Sequence, residues 1–348
     1  MASFHWMQSC SERLYQWLLL AYPSEFRREF GQEMAQAFRD CCREEVRTGG
    51  TARLFPLWGT VFYDFMKSVS IEHFLTLKHI FLHDKEYSML NAPLQLQVAQ
   101  LTDIGRKRAL NEDNLISVLP EDRSILDQKG ALFVVADGMG GHAHGEIASQ
   151  MAVTLIREAY YQDTANDIPT SLINAIKHAN ATIYQESQAK ISSDDKEDPL
   201  KVGMGTTCVV MVVKDRTLYI ANVGDSLAYL INDQEVKQLA EDHSWVAGQV
   251  RKGLMSEEEA RTSDNRNIIT RSLGTDAEVE VYLMTATDAQ AGDTLVLCTD
   301  GLHGQISEAE MREIVTSYPP EESAKRLIEH ANENGGPDNI TAIVVKIS

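Results

Sequence analysis

Four aspartates stand where an apolar run meets a turn. Asp137 closes Leu132–Ala136 and opens Gly138-Met139-Gly140-Gly141, and Asp225 follows Leu218–Gly224. Asp300 follows Thr294–Thr299 and precedes Gly301, while Asp338 sits in Gly335–Asn339 ahead of Ile340–Val345. One Asp-Gly pair alone is usually just a turn, since aspartate tolerates turn geometry and glycine supplies positive φ. Four aspartates at turns, each attached to a separate apolar run, place an acidic residue at four strand ends. Such carboxylates can converge on one rim of a sheet, and hard oxygen donors gathered there suit magnesium or manganese rather than zinc. Glycines 138, 140 and 141 would let backbone approach a metal or an anion. Upstream, the stretch Arg106–Asn114 sets cations beside further carboxylates. An arginine there offers a planar fork matched to phosphate oxygens. Glu112 could hold a metal-bound water.

The elements that must position these residues fall into two regions. From about residue 95 short strands alternate with a few helices. Thr207–Val213 and Leu218–Val223 flank Lys214-Asp215-Arg216 as a hairpin, and Tyr229–Ile231 with Glu235–Gln238 flank Asn232-Asp233 as a second. Glu146–Tyr160 and Thr170–Lys190 read as amphipathic helices. Connections this short rule out parallel crossovers, so the expected class is α+β with antiparallel sheets. Residues 1–88 read as all-helical. Phe26, Phe30, Met34, Phe38 and Cys41 recur at helical spacing, Ser24 is the expected N-cap, and Gly49-Gly50 the stop. A second helix is expected from Leu54 to Phe81, with Pro56 in its first turn. Weak periodicity over His83–Pro93 places the linker there, and the division expected is 1–88, a linker at 89–97, and 98–348.

Composition narrows the function classes. A chain of 348 residues with 43% hydrophobic and 24% charged content has an ordinary soluble make-up, enough for one large domain and a smaller one. The formal charge of −19 argues against a nucleic-acid binder, which carries a basic footprint. Five cysteines without a C-x-x-C pair speak against a disulfide framework and a zinc site. No stretch reaches the roughly 18–20 apolar residues of a spanning helix, and the first residues do not read as a signal peptide. The expected compartment is the cytoplasm, with contact to a membrane surface left open.

The residues also carry a family resemblance. Arg108-x-x-Asn111-Glu112-Asp113, Asp137-Gly-Met-Gly-Gly-His142-x-x-Gly-Glu146, Met204-Gly-Thr-Thr207 and Asn222-Val-Gly-Asp225-Ser226 appear in that order. Asp242-His243-Ser244, Ile269–Gly274, Thr299-Asp300-Gly301-Leu302 and Asp338-Asn339-Ile340-Thr341 follow. Over residues 98–347 this series resembles the metal-dependent type 2C serine/threonine protein phosphatases in their bacterial form. The resemblance implies two packed antiparallel sheets flanked by helices, with a pair of manganese or magnesium ions at one end. By position, Asp137 would bridge both ions and the Gly138 carbonyl would complete one site. Asp300 and Asp338 would hold the other, and Glu112 would be reached through water. Arg108 would bind the substrate phosphate. Asp225 with Asp300 would serve a weaker third ion, beside a flap containing Asn267. The implied reaction is direct in-line attack of a bridging water on phosphoserine or phosphothreonine in a protein, opposing a bacterial kinase.

Some positions depart from the family pattern. Met139 stands where some members place a histidine after the first Asp-Gly. His142 is nearby, so the leaving-group proton donor is left between it and water. Gly304 stands where an aspartate or asparagine is common, and Thr262-Ser263-Asp264 where histidine-proline is frequent. The helical prefix, around Leu18–Gly31, is similar to a segment preceding the membrane part of some bacterial permeases. It reads either as a bundle packing on the rest or on a second copy, or as a region docking a kinase, another regulator or a membrane complex. Two other functions compete with the phosphatase: a silent sensor or binding module on the same fold, and a two-metal hydrolase of a non-protein phosphoester such as a nucleotide.

Overall fold

The computed structural model describes residues 11, 13–22, 24–50, 53–63, 65–69, 95–140, 144–165, 167–193, 203–286 and 289–348. The chain divides into two compact units, Met1–Ala92 and Pro93–Ser348. In the first, helix α1 (Ser24–Gly49) is accompanied by helical residues 13–19, 54–63 and 65–69. Ser24 is the first helical residue rather than the residue before it. Gly50 follows with φ 73°, a left-handed value that ends the helix without a Cβ clash. The apolar face is turned slightly from the expected one. Phe38, Cys42 and Val46 are buried, whereas Cys41 is exposed. Spacing of four from Phe38 keeps residues in line on a helix, and the next position on that line is Cys42. Tyr15 stacks on Phe38 with ring centroids 4.1 Å apart. The expected linker His83–Pro93 and the end of the second helix at Phe81 lie outside the described residues.

The second unit is a four-layer α+β sandwich. One sheet has the order β1-β11-β10-β7-β8, built from Leu96–Asp103, Ile340–Ile347, Thr294–Cys298, Leu227–Ile231 and Val236–Gln238. The other runs β2-β3-β5-β6-β9, from Asp113–Val118, Ala131–Gly140, Cys208–Lys214, Thr217–Val223 and Tyr282–Ala286, with β4 (Met204–Thr206) paired to β3. Every pairing is antiparallel. Both expected hairpins form, and Asp215 takes φ 52° in the turn of the first. β1 starts at Leu96, two residues before the expected start of the large region at 98.

Both faces of the central strands are covered, so they read as continuous apolar runs. On β3, Phe133 and Val135 face the core between the sheets, while Leu132, Val134 and Ala136 face outward. The outer face is covered by α3 (His144–Gln162) and α4 (Ile168–Ser193), which bury Ile156, Tyr160, Leu172 and Ile176 there. On the first sheet, α8 (Glu308–Ser317) and α9 (Pro320–Glu333) bury Met311, Val315, Leu327 and Ile328, which are contiguous with the apolar cluster that also fills the space between the sheets. The remaining helices among the described residues of this unit are α2 (Arg123–Lys129), α5 (Trp245–Arg251), α6 (Glu257–Thr262) and the single turn α7 (Asp300–His303). Antiparallel order brings the ends of β3, β6 and β10 to one rim with the starts of β5, β7 and β11. The four aspartates belong to that rim.

Candidate metal centre

Asp137 is not the last residue of its strand. β3 continues to Gly140, and Gly138 pairs with Thr206 of β4. The expected turn is therefore a strand switching partners, and the Asp137 backbone is held on all sides by threonines. Its N–H donates to Thr207 Oγ1 at 3.0 Å, and its carbonyl accepts from Thr207 N–H at 2.9 Å and Thr206 Oγ1 at 2.8 Å. Gly138 is required by close approach. A Cβ there would stand 2.2 Å from the Gly145 carbonyl oxygen and 2.6 Å from that of Glu112, both backbone atoms. The Gly138 N–H donates to the Glu112 carbonyl at 3.2 Å.

Across the β2–β3 ladder, Asp113 lies directly opposite Asp137. Its Oδ2 accepts from Thr299 Oγ1 at 2.9 Å and Thr341 Oγ1 at 2.7 Å, while Oδ1 is buried without a partner. Asp300 opens α7, where a carboxylate also answers the positive end of the helix. Asp338 and Arg108 form an ion pair at 2.6 Å. Asn339, next to Asp338, accepts the Glu112 N–H at 2.8 Å and donates to the carbonyls of Ile104 and Leu110 at 2.9 Å. That carboxamide is the staple holding the Arg108–Glu112 loop against the start of β11.

Asp225 follows Gly224, whose φ of 104° and whose Cβ position, 2.6 Å from Thr207 Cβ, both demand glycine. Thr207 Oγ1 also bonds Ser226 Oγ at 2.7 Å, tying the Asp137 and Asp225 loops together. The flap segment between residues 245 and 268 is closed at its base by a bridge between Ser244 and Ile269. Asn267 is exposed in that segment, and among the described residues its side chain makes no bond to the acidic rim. His142 lies outside the described residues.

The carboxylates act on one another. Burial raises the Asp137 pKa well above the ordinary value, helped by the charges of Asp113, Asp300, Asp225 and Asp338. Burial, then Asp300 and Asp242, raises that of Asp225. Burial likewise raises Asp300, despite the opposing field of His303 and a hydrogen bond with Asp137. Asp113 is pushed up to about 7, again mainly by burial. Burial also raises Glu112, with Arg108 opposing. Two carboxyls in hydrogen-bond contact need a shared proton or a cation between them, and Asp300 Oδ1 is buried without a donor. Oxygen donors of this kind fit hard divalent ions. Among the described residues no three acidic, histidine or cysteine side chains stand as a ready cage. Ions such as magnesium keep several waters and need only one or two carboxylates each, so a closed cage is not required.

Asp113, Thr207 and Asn339 occur in the sequence motifs, but their roles were not legible there. Asp113 becomes conspicuous only through its register opposite Asp137, and Asn339 through bonds to a loop more than 220 residues away.

Residues 109–344 match the family described as Protein phosphatase 2C. The chain is 40% identical over 252 residues to the serine/threonine phosphatase stp of Listeria innocua, covering 70% of this chain and 93% of that protein. The crystal structure of the Mycobacterium tuberculosis serine/threonine phosphatase PstP/Ppp superimposes with a TM-score of 0.61 at 35% identity, over 72% of this chain and 98% of that one. The catalytic domain of PstP in complex with two manganese ions gives 0.60 at 33% identity, over 73% and 99%. With this share of its length matched, the chain belongs to the protein phosphatase 2C family of metal-dependent serine/threonine protein phosphatases.

Proposed function

We propose that this enzyme hydrolyses phosphoserine and phosphothreonine in proteins at a pair of manganese or magnesium ions. The donors would be Asp137 and the Gly138 carbonyl for one ion, and Asp137, Asp300 and Asp338 for the other. Asp225 and Asp300 would serve a weaker third. The observation that carries the reading is the convergence of Asp113, Asp225, Asp300 and Asp338 on Asp137, whose pKa the charges of all four raise on top of its burial. When bound, divalent ions supply Lewis-acid charge that acidifies water and neutralises phosphoryl oxygens. Arg108, half-exposed at the rim, would turn its planar fork to the phosphate and stabilise equatorial charge. Glu112, whose carboxylate accepts the Gly145 N–H, would orient a water from the edge of the cluster. Thr206 and Thr207 would keep the Asp137 backbone rigid while its carboxylate bears the load.

Two PstP structures lend weight to this reading, one of them a protein with two manganese ions. The finer proposal about partners is that residues 1–88 dock the enzyme onto a cognate kinase or a membrane complex from the cytoplasmic side. Exposed Trp17, Phe55 and Tyr63 in that unit support it. Among the described residues no helix is long and apolar enough to cross a membrane. The central test is Asp137→Ala, assayed with a phosphoserine peptide and manganese. Turnover should fall by at least about a thousandfold, and retained turnover would remove Asp137 from the reaction.

A further inference from the structure

The single turn α7 is capped by Gly304, where the family pattern commonly has an aspartate or asparagine. A Cβ at 304 would stand 2.7 Å from the Asp300 carbonyl oxygen, a backbone atom that cannot swing aside. This turn therefore cannot extend a donor from its last position as it is built. The preceding residue does reach across: His303 Nε2 lies 2.9 Å from the backbone oxygen of Asp225. A carbonyl only accepts, so Nε2 carries the proton and donates. The bond joins loops from the two sheets, because Asp300 follows β10 and Asp225 follows β6. The Asp225 turn is gripped from its other end by His243. The Gly224 N–H donates to His243 Nδ1 at 3.1 Å, and the Gly224 carbonyl accepts from the His243 N–H at 3.1 Å. The Asp225 side chain has little freedom of its own, being 6% exposed.

We propose that His303 is a positioning residue for the third ion. Its Nε2–H bond to the Asp225 carbonyl holds the Asp225 carboxylate against Asp300, replacing by backbone restraint the side chain that position 304 cannot carry. The inference rests on the reading of Asp225 and Asp300 as the donors of the weaker ion. It gives a histidine outside the family pattern a role in how tightly this enzyme keeps that ion.

The test uses full-length protein and manganese alone, with bound and free ion counted by electron paramagnetic resonance, so that no turnover is needed. His303→Leu removes the donor, while His303→Gln keeps an N–H where Nε2 stands. The weakest manganese site should lose about tenfold or more in affinity in the leucine variant, the range for removing a hydrogen-bond partner behind a ligand. The tighter sites should be unchanged, and glutamine should restore the weak site. Unchanged binding in His303→Leu, or equal losses in both variants, would overturn the proposal. So would loss of all sites together with a lowered Tm, which marks a role in folding only. Asp225→Asn separates the two levels. If it removes the weakest site and His303→Leu does not, only the positioning role falls. If Asp225→Asn leaves that site intact, or wild type binds no third ion, both readings fall.

Discussion

Asp113→Asn in metal-stripped protein puts the electrostatics of the rim to a quantitative test. Asp113 is 5% exposed and stands opposite another aspartate, an arrangement that is unfavourable when both are ionised. Its pKa rises from the ordinary 3.8 to about 7, through burial first, opposed by the two threonine hydroxyls, and then through Asp300 and Asp338. The folded value exceeds the unfolded one, so the folded protein holds more protons between about pH 4 and 7 and loses stability as pH rises. Each unit corresponds to about 1.4 kcal/mol, giving a cost of about 4 kcal/mol once the group is ionised. Asparagine keeps the shape and an acceptor for Thr299 and Thr341, but has no charge to lose. In urea unfolding with EDTA, the variant should be the more stable protein. Its margin should grow by about 1.4 kcal/mol per unit between pH 5 and 7 and level off near 4 kcal/mol above that. Manganese should narrow the margin, because a divalent charge beside Asp113 favours its ionised form and so relieves the cost that the variant avoids. A margin that does not change with pH, or a variant less stable than wild type at pH 8, would refute the argument.

Gly138→Ala should destabilise the Pro93–Ser348 unit by about 1–3 kcal/mol, since the new methyl meets two backbone oxygens that cannot yield separately; thermal unfolding checks it. Arg108→Lys keeps the charge but loses the fork, so kcat/KM for a phosphopeptide should drop about tenfold to a hundredfold, with little change in Tm because the Asp338 pair is half-exposed. An unchanged kcat/KM would take Arg108 away from the phosphate. Deleting residues 1–88 should leave phosphopeptide hydrolysis within about twofold, because the strands and carboxylates of the rim all follow residue 95. Recovery with a partner or a membrane fraction should be lost, and undiminished recovery would end the docking idea.

Much of this enzyme is local chemistry and could be read directly. The hairpin turns at 214–217 and 232–235 follow from turn residues between apolar runs, and α3 and α4 from helical periodicity. The rim aspartates and Arg108 stood out because residue type and spacing are properties of neighbours in the chain. Tertiary structure decided who faces whom. Asp113 meets Asp137 through strand register, Arg108 meets Asp338 across 230 positions, and His303 meets Asp225 across the two sheets. It also turned an expected loop after Asp137 into a continuing strand, and put Cys42 rather than Cys41 inside α1's core. Periodicity records which face of a strand is apolar, but lateral strand order and the meeting of two sheets are set by packing, which no local pattern contains. The sequence alone therefore determined which side chains could bind ions, and the sandwich decided that they share one rim.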